Sequence, residues 1–153
     1  MKLQFQKVEN GRYPYDLLLL ADETKDAIDK YVFKSEVFEV FHSGEKVGVF
    51  CLYEIDDNTI ELKNIAVSEK YQSQGFGAII INFIKDYTHK HYKTLIVGTA
   101  DTGERQIKFY ERNGFVKYGI RENFFIENYP EPIIENGRQL KDMVMLHFNL
   151  NEE

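Results

Sequence analysis

The chain has 153 residues, 43% hydrophobic and 29% charged, which is the composition of one ordinary globular domain with a real core. Its net charge of −6 argues against a nucleic-acid partner, because neutralising phosphates takes a basic face, and it favours a cationic small molecule. No apolar run nears the ~20 residues of a membrane span, the N-terminus lacks a signal-peptide pattern, and Cys51 is the only cysteine, excluding an internal disulfide or thiolate metal cluster. A single-domain cytoplasmic protein without membrane contact is expected. His89 and His91 stand two apart, on different faces of a helix, so no metal is expected either.

Leu3–Val8 alternates and reads as a first strand. Asn10-Gly11 breaks it, and Tyr13–Val32 reads as one or two helices with a seam at Asp22-Glu23-Thr24. Ser35–His42 and Glu45–Glu54 are β-rich runs on either side of Ser43-Gly44, a hairpin signal. Asp56-Asp57-Asn58 turns the chain into a further strand, Thr59–Val67. Cys51, inside one of these runs, reads as a small buried hydrophobe.

The next segment, Gln72-Ser73-Gln74-Gly75-Phe76-Gly77-Ala78, connects that strand to a helix running from about Gly77 to His91. A turn that winds into a helix N-terminus aims several unpaired N–H groups at one spot, and the helix dipole adds positive character. Gly75 and Gly77 let that backbone approach a ligand closely. Two glycines at this spacing are also what an ordinary loop contains, so the segment alone does not decide. Within the helix, Ile80, Phe83, Ile84, Tyr87 and Tyr92 follow helical spacing and predict core packing.

Thr94–Gly98 is a short apolar strand of the kind buried in a sheet centre. Asp101 and Glu104 have capping-box spacing ahead of a helix carrying Ile107 and Tyr110, which Asn113-Gly114 ends. Phe115–Ile120 resumes strand character. Glu122–Arg138 is irregular, aromatic and acidic, and Lys141–Leu150 closes the chain as a strand. The order β-α-β-β-β-α-β-α-β-β predicts a mixed α/β sheet.

Gln72-Ser73-Gln74-Gly75-Phe76-Gly77 fits the acetyl-CoA signature Arg/Gln-x-x-Gly-x-Gly/Ala, and Ile107-Lys108-Phe109-Tyr110 followed by Gly114-Phe115 fits the next one. With these two motifs in order and a strand between them, the chain resembles the GCN5-related N-acetyltransferase (GNAT) superfamily over most of its length. The resemblance implies a single acetyltransferase domain, 1–153, of the bacterial small-molecule type. Its central sheet would be mixed and mostly antiparallel, splayed between the fourth and fifth strands and flanked by helices. It implies acetyl-CoA as co-substrate, the pantetheine arm pairing with the main chain of Ile65, Ala66 and Val67. The pyrophosphate would rest on the N–H groups of Gln74 to Ala78, within a cofactor-binding segment Gln72, Ser73, Gln74, Gly75, Phe76, Gly77 and Ala78. Tyr110 aligns with a tyrosine beside the cofactor sulfur; a phenol with an ordinary pKa of about 10 keeps its proton at neutral pH and can donate it to the leaving thiolate. Plain packing is the other reading of Tyr110.

Glu61 lies where some members of the family carry a glutamate general base. Burial would have to raise its pKa for that task. A strand glutamate facing solvent, or one pairing with a lysine on a neighbouring strand, is equally consistent with the sequence. Simple alternation puts Asn64 on the opposite face from Glu61, placed to orient acceptor or cofactor. Two positions depart from the family pattern: Gly103 stands where many relatives have a pantetheine-contacting Asn, and Gln106 where Ala is common.

In this family the first helices and the connection before the last strand select the acceptor. Here that connection holds Phe124, Phe125 and Tyr129 with Glu122, Glu127, Glu131 and Glu135, a set that suits an amine with an apolar or cationic body; some of these glutamates are also readable as solvated surface charge. The expected activity is acetyl transfer to a primary amine of a small, cationic acceptor by direct attack, with a homodimer compatible. The alternative is a non-catalytic acyl-CoA-binding or sensor module on the same fold. A P-loop nucleotide site is excluded, since no Gly-Lys-Ser/Thr follows the glycines.

Overall fold

The computed structural model describes residues 2–151. In chain order the first elements are β1 (Gln4–Lys7), two short helices α1 (Tyr15–Leu18) and α2 (Lys25–Asp29), then β2 (Glu36–His42), β3 (Glu45–Glu54) and β4 (Thr59–Val67). They are followed by α3 (Phe76–Thr88), β5 (Thr94–Ala100), α4 (Glu104–Arg112) and β6 (Val116–Arg121). α5 (Phe124–Asn128), β7 (Ile134–Glu135), β8 (Arg138–Gln139) and β9 (Met143–Asn149) complete the chain.

β1 to β4 fold by successive antiparallel reversals. The tightest is Ser43-Gly44 between β2 and β3, where both residues have positive φ, 50° and 81°; that pair of left-handed residues matches the twist of the flanking strands. The sheet then continues through β5 and β9 to β6, giving seven strands in the order 1-2-3-4-5-9-6. β4 and β5 run parallel, joined by α3 as the crossover, while the other neighbours are antiparallel. The fold is thus a mixed α/β sheet flanked by helices.

Each face of the sheet carries its own core. On one side α3 buries Phe76, Ile80, Ile81, Ile84 and Thr88 along a single stripe, against Phe50, Leu52, Leu62 and Leu95. Each fully buried isoleucine contributes roughly 1.5–3 kcal/mol. On the other side α1, α2 and the turn after α2 lay Leu17, Leu18, Ile28, Tyr31 and Val32 over Val37, Val49, Cys51 and Ala66. Cys51 is fully buried, and burial pushes its thiol well above the usual range. No helix among the described residues is long and apolar enough to cross a membrane.

Three local expectations are corrected. Asp101 does not cap α4: the N-cap is Gly103, without a side-chain cap, because the Gly103 N–H closes a turn onto Ala100 O at 2.9 Å and delays the helix. The Asp101 N–H goes to Asp142 O instead. α3 stops at Thr88 rather than His91, its end marked by the Thr88 hydroxyl bonding back to Ile84 O. Glu122–Arg138 is not wholly irregular, since it contains α5 and the start of the β7–β8 hairpin.

Candidate active site

β4 and β5 pair along Thr59–Leu62 and Thr94–Val97 only. Beyond that point β4 stays with β3 out to Val67 and β5 with β9 out to Ala100, so the middle of the sheet opens. A cavity of about 590 Å³ occupies this opening, with Glu61–Ile65 of β4, Val97–Ala100 of β5, and Gly103, Gln106 and Tyr110 around it.

A β-bulge re-aims the strand at this place. Leu62 faces Leu52 and Asn64 faces Cys51, so Lys63 is the extra residue on β4. The bulge resets the alternation and overturns the expectation for Asn64, which lies on the same face as Glu61, towards α1 and α2. Its Nδ2 donates to Leu18 O at 3.1 Å and to the Tyr31 hydroxyl at 3.0 Å. Ile65 and Val67 pack towards α3, and Ala66 towards α1 and α2.

At the far end of β4 the chain passes through a short 3-10 turn, Glu69–Tyr71, into the glycine segment. Gln72, Ser73, Gln74 and Gly75 are exposed; Gly77 and Ala78 are half-buried. Ser73 and Gly75 both take left-handed backbone, φ 62° and 87°, and Gly75 is the N-cap of α3. The N–H groups of Ser73 to Ala78 donate to no carbonyl among the described residues, which leaves a bundle of free donors at a thirteen-residue helix. The Gln72 side chain turns back onto Val67 O at 2.8 Å and that of Gln74 onto Lys70 O at 3.1 Å, so both brace the turn. Only the backbone of Phe76 is presented, as its ring is buried in the core. Gly77 has a second reason to be glycine: a Cβ there would meet the Phe109 ring of α4 at 3.1 Å.

Tyr110, one turn after Ile107 on α4, is 7% exposed and edges onto the rings of Phe109 and Phe115. Burial alone pushes its phenol above the ordinary value of 10.0, and its hydroxyl has no partner among the described residues. Tyr110 thus belongs to the core and also lines the cavity.

Glu61 is 2% exposed, not solvent-facing. The guanidinium of Arg121, on β6, donates to both its oxygens at 3.1 and 3.3 Å, and Lys63 Nζ lies 3.6 Å away. The partners are thus an arginine three strands across and a lysine of its own strand. Such a fork fixes the carboxylate in direction.

The outer wall of the cavity comes from the α1–α2 connection and the segment before β9: Leu19 to Glu23 face Phe124, Phe125, Asn128, Tyr129 and Glu135. Asp22 ties the two together, accepting from the hydroxyls of Tyr31 and Tyr129, and Lys30 donates to Asn128 O at 3.1 Å. Of the four glutamates expected here, only Glu135 lines the cavity; Glu122, Glu127 and Glu131 are exposed surface charge.

A model of the acetyltransferase (GNAT) family matches residues 4–115. The chain belongs to that family. As a GNAT protein it is 36% identical to the uncharacterized N-acetyltransferase YvbK of Bacillus subtilis strain 168, over 98% of this chain and the whole of that one. It is also similar to a GNAT family acetyltransferase from Elizabethkingia anophelis solved with acetyl-CoA bound (40% identity, TM-score 0.92, 96% of this chain and 97% of that one). An IAA acetyltransferase from Bacillus cereus ATCC 14579 is 30% identical with a TM-score of 0.88, covering 97% of this chain and 99% of the other. The two sequence motifs single out Gln72–Ala78 and Tyr110. They carried no signal for Arg121, Lys63, Tyr31 or Asp22, except that Asp22-Glu23 already stood out as a helix seam.

Proposed function

We propose that this GNAT protein, as a single cytoplasmic domain, transfers the acetyl group of acetyl-CoA to a primary amine of a small, cationic acceptor by direct attack. The observation that carries the reading is the opening between β4 and β5, with free N–H groups at the start of α3 near one end and the unpartnered Tyr110 hydroxyl beside it. The Elizabethkingia relative, of nearly the same length and fold and crystallised with acetyl-CoA, supports the choice of cofactor. The main chain of Ile65, Ala66 and Val67 pairs with the pantetheine arm. The N–H groups of Gln74 to Ala78 take the pyrophosphate, and hydrogen bonding at contact distance outweighs the chain's net negative charge.

The neutral amine nitrogen attacks the thioester carbonyl carbon. As the C–N bond forms and the C–S bond breaks, Tyr110 protonates the departing thiolate. The nitrogen gives up its extra proton to Glu61 through water, while Arg121 and Lys63 hold that carboxylate in place; each carboxylate oxygen keeps a lone pair free for this.

The test is steady-state CoA thiol release with a panel of amines. Tyr110→Phe is expected to lower turnover by roughly 10²–10⁴-fold with acetyl-CoA affinity retained, because the ring still packs and only the donated proton is lost. Unchanged turnover returns Tyr110 to packing alone. Tight acetyl-CoA binding with no release from any amine favours the binding-module alternative.

A further inference from the structure

The charged side chains lining the cavity are Asp22, Glu23, Lys30, Glu61, Lys63 and Glu135. Glu61 is compensated by Arg121 and Lys63, and Lys30 spends a proton on Asn128 O. Asp22, Glu23 and Glu135 have no ion pair among the described residues; Asp22 accepts from the neutral hydroxyls of Tyr31 and Tyr129 and from the Glu23 N–H. Glu23, from the α1–α2 seam, and Glu135, from β7 on the opposite wall, line the same cavity. Burial first, then Glu135 and Asp22, hold Glu23's carboxyl above its usual range. Three acids converge on one opening without a cation among them.

At the deep end the lining is different. Asn64 is 4% exposed, and both of its N–H bonds are used on Leu18 O and the Tyr31 hydroxyl, yet its Oδ1 has no partner. A buried amide oxygen left open costs about 1–3 kcal/mol, and a substrate N–H would recover it. A neutral acceptor oxygen also suits the reacting nitrogen. It orients an N–H without strongly favouring the ammonium form, which cannot attack. Glu23 and Glu135, both exposed at the mouth, act on a different part of the substrate.

Resting on the acetyl-transfer reading above, we propose that the acceptor carries two nitrogen centres. The reacting amine is oriented by Asn64 Oδ1, and a second, protonated one is held by Glu23 and Glu135 at the mouth. Tyr31, Tyr53 and Tyr129 also line the cavity and offer ring faces to an alkyl spacer or a cation.

The experiment measures kcat/KM by thiol release for straight-chain alkyl monoamines against α,ω-diamines of the same length, with the wild type and with Glu23→Gln/Glu135→Gln. Diamines are expected to exceed monoamines by about tenfold or more, and the ratio is expected to collapse towards one in the double variant. A merely structural role for the two glutamates would lower both series together and leave the ratio standing. Asn64→Ala is expected to lower kcat/KM about tenfold for both series with acetyl-CoA affinity unchanged. Equal wild-type values for the two series, or a ratio untouched by the double variant, overturn the two-centre proposal while acetyl transfer stands. No release from any amine overturns both.

Discussion

Gly77 serves two neighbours at once, and the two services can be separated. It lies among the free N–H groups at the start of α3, and it makes room for the Phe109 ring, which a Cβ would meet at 3.1 and 3.2 Å. Gly77→Ala is therefore expected to cost about 1 kcal/mol of stability by overpacking and to weaken acetyl-CoA binding. Adding Phe109→Leu relieves the contact and restores the melting temperature. If close backbone approach is what the cofactor needs, calorimetric affinity stays low in the double variant. An affinity that recovers together with stability assigns the glycine to helix packing alone. Gly75 offers no such separation, since at φ 87° any side chain is strained whatever the space around it.

The link between β4 and β6 is the long-range counterpart. Glu61 and Arg121 are sixty positions apart and their strands are separated by β5 and β9, yet they form a two-point ion pair on the α1–α2 face of the sheet. Arg121→Gln leaves a buried carboxylate with only Lys63 beside it and is expected to lower stability by about 2 kcal/mol. A urea denaturation curve superimposable on the wild type would show that the pair contributes nothing. Elements set by neighbouring residues were legible in the chain. Ser43-Gly44 and Asp56–Asn58 mark reversals that the backbone makes locally, and β2, β3 and β4 begin and end within a residue of the expected places. What depends on distant partners was not. α5 and the β7–β8 hairpin sit in a segment tied down by Asp22 and Lys30, about a hundred positions away in sequence, and by Asp142, nineteen positions from Asn123, and no periodicity in 122–138 announces that. The failed capping box at Asp101 has the same origin, because its N–H is claimed by Asp142. In the candidate site, the glycine segment was readable as a turn into a helix because backbone geometry sets it locally. Arg121 was not, because it acts across three strands; Asn64 was legible as a residue but not by its side of the sheet, which a single bulge at Lys63 reverses.

Over the protein as a body, buried phenols set an alkaline limit. Burial raises Tyr31 and Tyr129 well above the ordinary 10.0, with Asp22 adding to both. A raised folded value means that their contribution is fully present below pH 10 and is lost as pH climbs beyond it, because the unfolded chain releases the proton first. By about one pH unit above 10, each is expected to have withdrawn about 1 kcal/mol, the folded phenols staying neutral while the unfolded ones ionise. Urea midpoints measured at pH 8, 10 and 11 check this; a flat series contradicts it. The parted strands have a different kind of consequence. A sheet normally has two edges, on its outside, and exposed edges invite other chains to pair there. Here β4 and β5 add a second pair of edges in the interior, walled by α3 and α4 on one face and by the outer cavity wall on the other. Only a slender, extended molecule carrying amides of its own can complete them, so entry is decided by shape and backbone before any side chain is consulted.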